Sequence, residues 1–501
     1  MSTLTALARA QAVASGVAQP IATVRHLHLS EQPLVLVPLA MAGEANAPLA
    51  ALVGTAPDRA QLLIVPQPRN RDQRFAFTTE LASILVPYLD GRRGVAEAVP
   101  VDRGKDVRYR YVDAPQILVP NPAGVTFVRL LGRSTRFRRT DGDYPVDASV
   151  PLLGRWLSFL ADRAEHPGSS LLLALTDALT LHWATGQSAV EDNHLAALLA
   201  WITPPAGVPG AVAAEAAEDP AVCPPAGPAT DPDFDNRQLA PAIAAYQAAA
   251  DDPVAQQRAR AALADLLRGQ LEPTWQLMWQ AVDLLRSKPA GARVADRWAA
   301  DRDAFTDYAA YVDEGGHPQA RRDGAVAAAH RLHRLERALT TYAVQRAYDD
   351  PLVMADHRLT GEAFVGEVTL AAPTRVDDSG KRPVLRPRIM LHTTDPVLVR
   401  PGASLYSPTR PNQKARVVFV NPTADVEKTE VVLELSGGMG RSLTPPPGSV
   451  PEVGERLCYT TLSEGFMPSG AFPAREETPW THGGPPGDGA PAEEDAVEEW
   501  N

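Results

Sequence analysis

The sequence predicts an α+β multidomain protein with a mixed β-rich N-terminal domain and a helical middle that includes a long antiparallel helical stalk. A small antiparallel β-barrel and a disordered acidic tail follow. Residues 361–462 alternate short β-branched runs with Pro, Gly, Asn and Asp, which is typical of a barrel. Residues 237–348 carry Ala- and Arg-rich segments with helical periodicity. Residues 466–501 hold eight acidic side chains against one arginine, a composition that predicts disorder.

Chain length and composition limit the classes of protein to consider. A chain of 501 residues has room for about three domains at roughly 100–200 residues each. The net charge of −12 opposes polyanion binding by the chain as a whole but permits local basic faces. Two cysteines, Cys223 and Cys458, provide neither a disulfide framework nor a cysteine zinc site. The absence of a signal-peptide pattern and of an 18-residue apolar run predicts a cytoplasmic protein without a membrane partner.

The element pattern predicts six segments. They are a mixed β-rich domain (1–148), a small helical unit (149–203), a Pro-rich linker (204–236), a helical stalk region (237–358), a β-barrel-like domain (359–465) and a disordered acidic tail (466–501).

The first segment is expected to form its own sheet. Strands are predicted over the apolar runs PLVLVPLAMAG and QLLIVP, over VRYRYVDAPQILVP, and over GVTFVRLLGRSTRFRR. TTELASILVPYLDG fits a helix or a strand, with Thr78 or Thr79 as a cap and Gly91 as its end.

The second segment is expected to contain three helices. The first places Leu153, Trp156, Leu157 and Leu160 on one face. The second is the very apolar run SSLLLALTDALTLHW, and the third follows a Ser188-x-x-Glu191 capping box.

Proline and glycine mark the boundaries in the middle of the chain. Eight prolines between residues 204 and 232 predict a linker or extended strap. In the stalk region Gly269, Gly291 and Gly315-Gly316 are predicted helix ends, and Pro273 suits the first turn of a helix. The last two helices are expected to form an elongated antiparallel pair.

Motifs for nucleotide, metal or nucleophilic chemistry do not emerge from the sequence. There is no P-loop, no dinucleotide fingerprint and no G-x-S-x-G elbow. The glycines of LSGGMGRS favour a hairpin turn, and His330, His333 and Glu336 favour a solvated helix face among arginines. Asp231-x-Asp233-x-Asp235 lacks the later ligands of a calcium loop and favours a helix start. The sequence therefore predicts no catalytic residue, no metal ligand and no cofactor, and it favours a non-catalytic role.

Basic clusters are the main functional signal. Nine basic and three acidic residues lie between residues 369 and 420. Positive faces with nearby aromatics are what sequence-tolerant nucleic-acid grooves use. The residues predicted to contact DNA, RNA or a protein partner are Arg386, Arg388, Arg400, Lys414 and Arg416 of the barrel, Arg133, Arg136 and Arg138 around Phe137, and Arg331 and Arg334 of a helix.

A helical stalk that leads directly into a small basic barrel resembles the accessory region of the Upf-like branch of superfamily 1 helicases. The segments that carry the likeness are AAAHRLHRLERALTTYAVQRAY, GEAFVGEVTL, RPRIMLHTTDPVLVRPGASLYSP and KARVVFVNP. The likeness covers roughly residues 290–462 and is architectural, since the Walker motifs of the motor are missing. It implies an accessory subunit of a separately encoded ATPase and carries over no catalytic residue.

The leading hypothesis is a scaffold or adaptor subunit of a nucleic-acid-processing complex. Its acidic tail, ending in Glu498, Glu499 and Trp500, is expected to dock on a basic partner surface through charge and one aromatic anchor. Two alternatives stay open: a hydrolase or nuclease with a site in the N-terminal domain, and a purely protein-binding structural protein.

Overall fold

The computed structural model describes residues 2–43, 47–101, 104–225, 227–422 and 428–465. These residues divide into two compact units. The α/β unit contains residues 7–21 and 25–339, and the barrel unit contains residues 2–6, 22–24 and the described part of 340–465. The α/β unit thus contains residues from four of the six segments that the sequence predicts. The predicted tail, including Glu498, Glu499 and Trp500, lies outside the described residues.

The α/β unit consists of strands and helices in mixed order. Up to residue 164 its elements are α1 (Thr3–Ser15, whose first residues belong to the barrel unit), β1 (Gln19–Pro20), β2 (Leu34–Ala40), β3 (Pro48–Gly54), β4 (Gln61–Ile64), α2 (Arg71–Asp90), β5 (Ala96–Val101), β6 (Asp106–Tyr111), β7 (Ile117–Val119), α3 (Pro122–Thr135) and α4 (Ser149–Ala164). The later elements are β8 (Leu172–Ala174), α5 (Leu175–Thr180), β9 (Trp183–Ala184), α6 (Leu195–Ile202), α7 (Gly210–Glu218), α8 (Pro232–Phe234), α9 (Ala240–Ala248), α10 (Pro253–Arg286), α11 (Val294–Asp313) and α12 (Ala325–Asp349, which belongs to the barrel unit from residue 340).

A five-stranded sheet with the order β4-β3-β2-β7-β8 forms the centre of this unit. Strands β2, β7 and β8 are parallel, while β3 and β4 are antiparallel to their neighbours. All seven residues of β2 are buried. A strand covered on both faces needs apolar side chains at every position, which explains the unbroken run LVLVPLA.

Helices cover both faces of the sheet, because successive side chains of a strand point to opposite sides. Val35 and Val37 pack with α5, α6 and α10 on one face. Leu34 and Leu36 pack with α2, α3, α4 and α11 on the other face. The mixed α+β class is confirmed, and the N-terminal sheet is the middle of three layers.

The segment GVTFVRLLGRST, predicted to be a strand, is helix α3, so that prediction is wrong. Asn121 caps the helix by accepting a hydrogen bond from the Gly124 amide (3.2 Å), and Pro122 occupies its first turn. Phe127, Val128 and Leu131 are buried, at a spacing that suits one face of a helix better than the period of two of a strand.

Helices α2 and α4 follow the sequence more closely. In α4, the four predicted face residues Leu153, Trp156, Leu157 and Leu160 are all buried. Helix α2 reaches its C-cap at Gly91 as predicted, but its N-cap is Asn70, eight or nine residues before the predicted threonines. The SSLLLALTDALTLHW segment is β8, α5 and β9 rather than one helix. Short apolar runs do not distinguish buried strands from buried helices.

Two further predictions in the middle of the chain are wrong. The predicted linker contains helix α7, and Ala229 forms a bridge with Ala40 at the end of β2. Helix α10 runs for 34 residues through Gly269 and Pro273 without a break. Proline here gives up a hydrogen bond to the carbonyl of Gly269. The buried ridge of Leu263, Leu267, Trp275 and other α10 side chains outweighs that loss, because it packs on the sheet and α6.

Helix α11 is buried against the α/β core rather than along α12. Its Phe305 contacts Tyr111 of β6 and Trp156 of α4, and Tyr308 stacks on Phe159 with ring centroids 4.3 Å apart. The predicted helix end at Gly315 is confirmed, since Gly315 has φ +76° and the Gly316 amide bonds the Tyr311 carbonyl. The core of the α/β unit, and not the predicted antiparallel pairing with α12, therefore buries α11.

The barrel unit contains the closed β-barrel that the sequence predicts, with strand order β10-β13-β16-β15-β14-β17. Every strand pair in it is antiparallel. Its elements after α12 are α13 (Pro351–Leu359), β10 (Ala363–Ala372), β11 (Val376–Asp377), β12 (Val384–Leu385), β13 (Arg388–Thr393), β14 (Ser404–Tyr406), β15 (Lys414–Pro422), β16 (Thr429–Ser436) and β17 (Arg456–Thr460).

Alternating side chains fill the barrel, as the burial of every second residue of β13 illustrates. Phe364, Ile389 and Leu433 are among its fully buried residues. The glycines of LSGGMGRS follow β16, and all three have φ near +70°, a conformation that favours glycine. The predicted hairpin at this point is wrong, because β16 pairs with β13 and β15 while the next strand, β17, pairs with β10 and β14.

Trp275 of α10 gives a direct test of the packing of α10 against the sheet. The side chain is fully buried and its indole donates a hydrogen bond to the Pro57 carbonyl (2.9 Å). We expect Trp275→Ala to lower the free energy of unfolding by about 3–5 kcal/mol, because it opens a cavity in this layer. Urea unfolding followed by circular dichroism measures the change. The exposed Arg268→Ala on the same helix should change it by less than about 0.5 kcal/mol. Equal effects of the two variants would contradict the packing.

Candidate arginine cavity

The barrel arginines surround one nearly buried carboxylate. Arg388, Glu434 and Arg416 stand directly opposite one another on β13, β16 and β15. Glu434 accepts hydrogen bonds from Arg375 Nη1 (2.8 Å), Arg388 Nη2 (3.1 Å) and Arg416 Nη2 (3.3 Å). Burial by itself would raise the pKa of Glu434, but the Arg388 hydrogen bond and the neighbouring charges outweigh it and lower that pKa. Much of the basic excess of this segment is thus used within the barrel.

Other predicted barrel contacts differ in their surroundings. Arg386 is half-buried, and its amide bonds the Arg375 carbonyl. Arg400 and Lys414 are exposed, and neither has an ion-pair partner among the residues that the structure describes. Lys414 lies 5.9 Å from the ring centroid of Tyr406. Two of the five predicted barrel residues are therefore paired with Glu434, and two others are exposed cations.

A second group of arginines lines a cavity of about 700 Å³ in the α/β unit, which we call the arginine cavity. Its lining residues are Arg129, Arg133, Arg136, Ser158, Asp162, Arg163, Glu165, His166, Gln319, Ala320, Arg321, Asp323, Arg331, Arg334 and Leu335. Seven of these are arginines and three are carboxylates, and Arg163 also pairs with Asp301 outside the lining, which leaves an excess of three positive charges at neutral pH. Four of the ten predicted basic contacts, Arg133, Arg136, Arg331 and Arg334, meet here.

Helical spacing explains how α3 provides its share of the cavity. Arg129 and Arg133 are four residues apart and Arg136 follows after three, so the three side chains share one helix face. The opposite face of α3 carries Phe127, Val128 and Leu131 into the core. Helix α4 contributes its last turn, and α12 contributes Arg331, Arg334 and Leu335.

Carboxylates hold some of these guanidinium groups in place. Arg331 pairs with Glu165 (2.6 Å), Asp162 (3.2 Å) and Asp323 (3.4 Å), while Arg129 also pairs with Glu165 (2.6 Å). These ion pairs connect α3, α4 and α12 around the cavity. They are partly exposed and so add modestly to stability, but they fix the positions of the walls.

Arg133, Arg136 and Arg334 form a different set, which we call the unpaired triad. Within the described residues, none of the three has a carboxylate at ion-pair distance. Arg136 is only 4% exposed. Its guanidinium donates to the carbonyls of Gln319 (2.7 Å) and Ala320 (3.1 Å) and to Ser158 Oγ (3.3 Å), all of them neutral oxygens. Burial, followed by the charge of Arg133, lowers the pKa of Arg136. The charge of Asp162 opposes this shift, but Asp162 forms no ion pair with Arg136, so the buried cation is only partly compensated, which is costly.

His166 adds a neutral polar group to the cavity wall. Burial and the charge of Arg163 lower the pKa of His166 to about 4, so its ring is neutral at pH 7. Arg163 itself is turned toward a buried carboxylate, donating to Asp301 at 2.8 Å. The cavity therefore combines three guanidinium groups that form no ion pair within the described residues with hydrogen-bonding groups, an arrangement that can bind a phosphate or another oxyanion.

The sequence did not single out several cavity residues. Arg163 and Arg321 lie outside the three basic clusters, and nothing in their local sequence connects them with Arg133. Asp162 and Glu165 are three residues apart at the end of α4, a spacing that predicts only that both lie on one surface of the helix. Arg138 lies beside the cavity rather than in its lining, with Nε bonded to the Ser134 carbonyl (2.9 Å).

The Asp231-x-Asp233-x-Asp235 and Ser188-x-x-Glu191 motifs both cap the start of a helix or helical turn. Asp231 accepts hydrogen bonds from the Asp233 and Phe234 amides and caps a helix start, as predicted. Ser188 and Glu191 form the predicted reciprocal capping box, with the Ser188 amide 2.6 Å from Glu191 Oε2. They precede a short 3₁₀ turn, whereas α6 is capped by His194.

Comparisons with protein-family models, with curated proteins and with solved structures found no match. The resemblance to the accessory region of Upf-like helicases stays a prediction. Among the described residues, no helix is long and apolar enough to cross a membrane. Over the same residues, no group of three or more His, Cys, Asp and Glu side chains is placed to hold a metal ion.

Replacing the carboxylate that three barrel arginines share tests whether that cluster is structural. We expect Glu434→Gln to weaken the barrel by about 2 kcal/mol, a value reduced for the partial exposure of the arginines. Amide hydrogen exchange in β13, β15 and β16 should accelerate about 30-fold. The matched control Glu367→Gln, an exposed carboxylate on β10, should leave exchange unchanged. Unaltered exchange in Glu434→Gln would contradict a structural role for the cluster.

Proposed function

We propose that this protein is a non-catalytic nucleic-acid-binding subunit whose arginine cavity holds the phosphates of a strand. The observation that carries the proposal is Arg136, a buried guanidinium that meets only neutral oxygens among the described residues. The charge of Asp162 acts on Arg136, but Asp162 forms no ion pair with it, so an anion bound beside the guanidinium would supply a directly hydrogen-bonded counter-charge. Arginine suits phosphate in particular, because its planar fork donates two parallel hydrogen bonds.

The size and charge of the cavity support a phosphate backbone as the ligand. A volume of about 700 Å³ lies within the range of small-ligand sites, about 300–1,000 Å³, and can take more than one phosphate. The whole chain carries −12, so a polyanion would be attracted to this local region rather than to the protein surface in general. Binding of this kind is sequence-tolerant and depends strongly on salt.

The role in a complex follows the sequence hypothesis. The subunit would act as a cytoplasmic scaffold or adaptor, with a separately encoded ATPase of the helicase type as its partner. The exposed cations Arg400 and Lys414 of the barrel provide a second place for nucleic acid or a protein. The two alternatives, a hydrolase or nuclease and a purely protein-binding protein, become outcomes of the binding and cleavage assays.

The unpaired triad offers two exposed residues for the decisive test, Arg133 and Arg334. We expect Arg133→Ala and Arg334→Ala each to weaken binding of a labelled single strand about tenfold at low salt. This corresponds to a charge-assisted hydrogen bond of about 1.5 kcal/mol. Each should also lower the slope of log K against log salt concentration by about 0.7. Fluorescence anisotropy over a salt series, with DNA and RNA strands, measures both quantities.

Arg258→Ala is the matched control, since Arg258 is exposed on α10, which covers the opposite face of the sheet. It removes the same charge and should leave affinity and salt slope unchanged. Absence of binding by the unmodified protein at low salt would overturn the proposal. Competition by inorganic phosphate or a mononucleotide at similar concentrations would point to a small ligand, and strand cleavage would point to the nuclease alternative.

The affinity for a strand is expected to be constant between about pH 5.5 and 8.5. The arginines stay charged throughout, and the His166 ring stays neutral because its pKa is about 4. Below about pH 5 the ring gains a proton, and its positive charge should strengthen binding. The His166→Gln variant should bind equally above pH 5.5 and show a smaller increase at lower pH, where protonation of Asp162, whose pKa burial raises, still adds positive charge. An increase between pH 7 and 6 that this variant abolishes would contradict the depressed pKa.

A further inference from the structure

Arginines and aromatic rings alternate along the surface from the arginine cavity toward the start of α2. Phe137 lies within reach of two cavity guanidinium groups, those of Arg136 (5.0 Å from the ring centroid) and Arg321 (5.7 Å). The next residue, Arg138, places its guanidinium 5.3 Å from the Phe75 centroid. The cavity is thus connected through the end of α3 to a second group of rings.

The alternation continues on α2. Arg71 lies 4.6 Å from the Phe75 centroid and 5.7 Å from that of Tyr144, so one guanidinium is shared by two rings. It also donates to the Tyr144 carbonyl (2.9 Å) and pairs with Asp72 (3.1 Å). These contacts fix the Tyr144 backbone beside α2. We call Phe137, Arg138, Phe75, Arg71 and Tyr144 the arginine–aromatic track.

Tyr144 is the exposed end of the track. Its residue surface is 76% exposed, although a neighbouring guanidinium and a backbone hydrogen bond hold it in place. Tyrosine rings are usually covered over much of their area, so a positioned and open ring is a surface suited to stacking. The acidic side chains around it are Asp72, which pairs with Arg71, Asp141, which lies 3.6 Å from Arg139, and Asp143.

We propose that the occupant of the cavity is a single strand whose bases extend along the arginine–aromatic track and stack on Tyr144. The inference rests on the proposed function and adds the class of nucleic acid. Single-strand sites combine cations that follow the backbone with rings that stack on successive bases, and the track has this alternation. A duplex keeps its bases paired inside, so it cannot offer them to an exposed ring.

A pair of ligands separates stacking from phosphate binding. One is a labelled 12-nucleotide strand, and the other is an abasic strand with the same number of phosphates. In the full-length protein, Tyr144→Ala should weaken binding of the base-containing strand about tenfold and leave the abasic strand unchanged. Tyr144→Phe keeps the ring and should bind both strands as the unmodified protein does. Arg133→Ala should weaken both strands to the same extent.

Tyr109→Ala is the matched control, because Tyr109 is 68% exposed on the separate β5–β6 hairpin. It should bind both strands normally. An unchanged affinity of Tyr144→Ala for the base-containing strand, or an equal loss for both strands, would overturn the stacking inference while phosphate binding stands. Equal affinity for a duplex of the same sequence would also overturn it. Failure of the unmodified protein to bind either strand would remove the proposed function itself.

Discussion

A buried carboxylate, Asp301 of α11, is the interaction on which the cavity depends. It is 1% exposed and accepts hydrogen bonds from Arg163 Nη2 (2.8 Å), Ser169 Oγ (2.7 Å) and the Ser170 amide (2.6 Å). The three donors lie in the last turn of α4 and in the connection to β8, so one side chain fixes α11 against both. Burial raises the pKa of Asp301, and the ion pair with Arg163 and the hydrogen bonds from Ser169 and Ser170 oppose that rise and stabilise the buried carboxylate.

The position of α11 in turn determines the segment that follows it. Tyr308 donates to the Arg155 carbonyl (2.9 Å), and Gln319 donates to Tyr308 Oη (2.8 Å) and to that same carbonyl (3.1 Å). The carbonyls of residues 319 and 320 are thereby presented to Arg136. The hydrogen bonds that hold the buried guanidinium therefore depend on the position of α11, which Asp301 fixes. These hydrogen bonds provide the preorganisation that an anion site needs, because the cost of burying the charge is met during folding.

The two arginine clusters show how the same residue type serves different purposes. Three arginines of the barrel unit pair with the carboxylate of Glu434 and stabilise the pairing of β13, β16 and β15. In the arginine cavity, Arg331 and Arg129 are held by carboxylates, while the unpaired triad is left without one among the described residues. Basic composition alone does not distinguish these cases, since pairing depends on which acidic side chain comes within about 4 Å. The proposed function therefore moves the main binding site from the barrel to the α/β unit.

Local sequence determined the features whose causes are local. Period-two runs and turn residues predicted the barrel strands, and helical spacing predicted α4. The reciprocal Ser188–Glu191 cap and the end of α11 at Gly315 were also predictable, because each depends on residues only a few positions apart. Tertiary structure decided the rest. Packing against the sheet made α3 a helix and carried α10 through Pro273, where local propensity indicated otherwise. The cavity joins Arg133 and Arg334, some 200 positions apart, through the fold of the intervening chain. Such a site is set by long-range packing and by the choice of charge partners, neither of which the spacing of residues in one sequence contains.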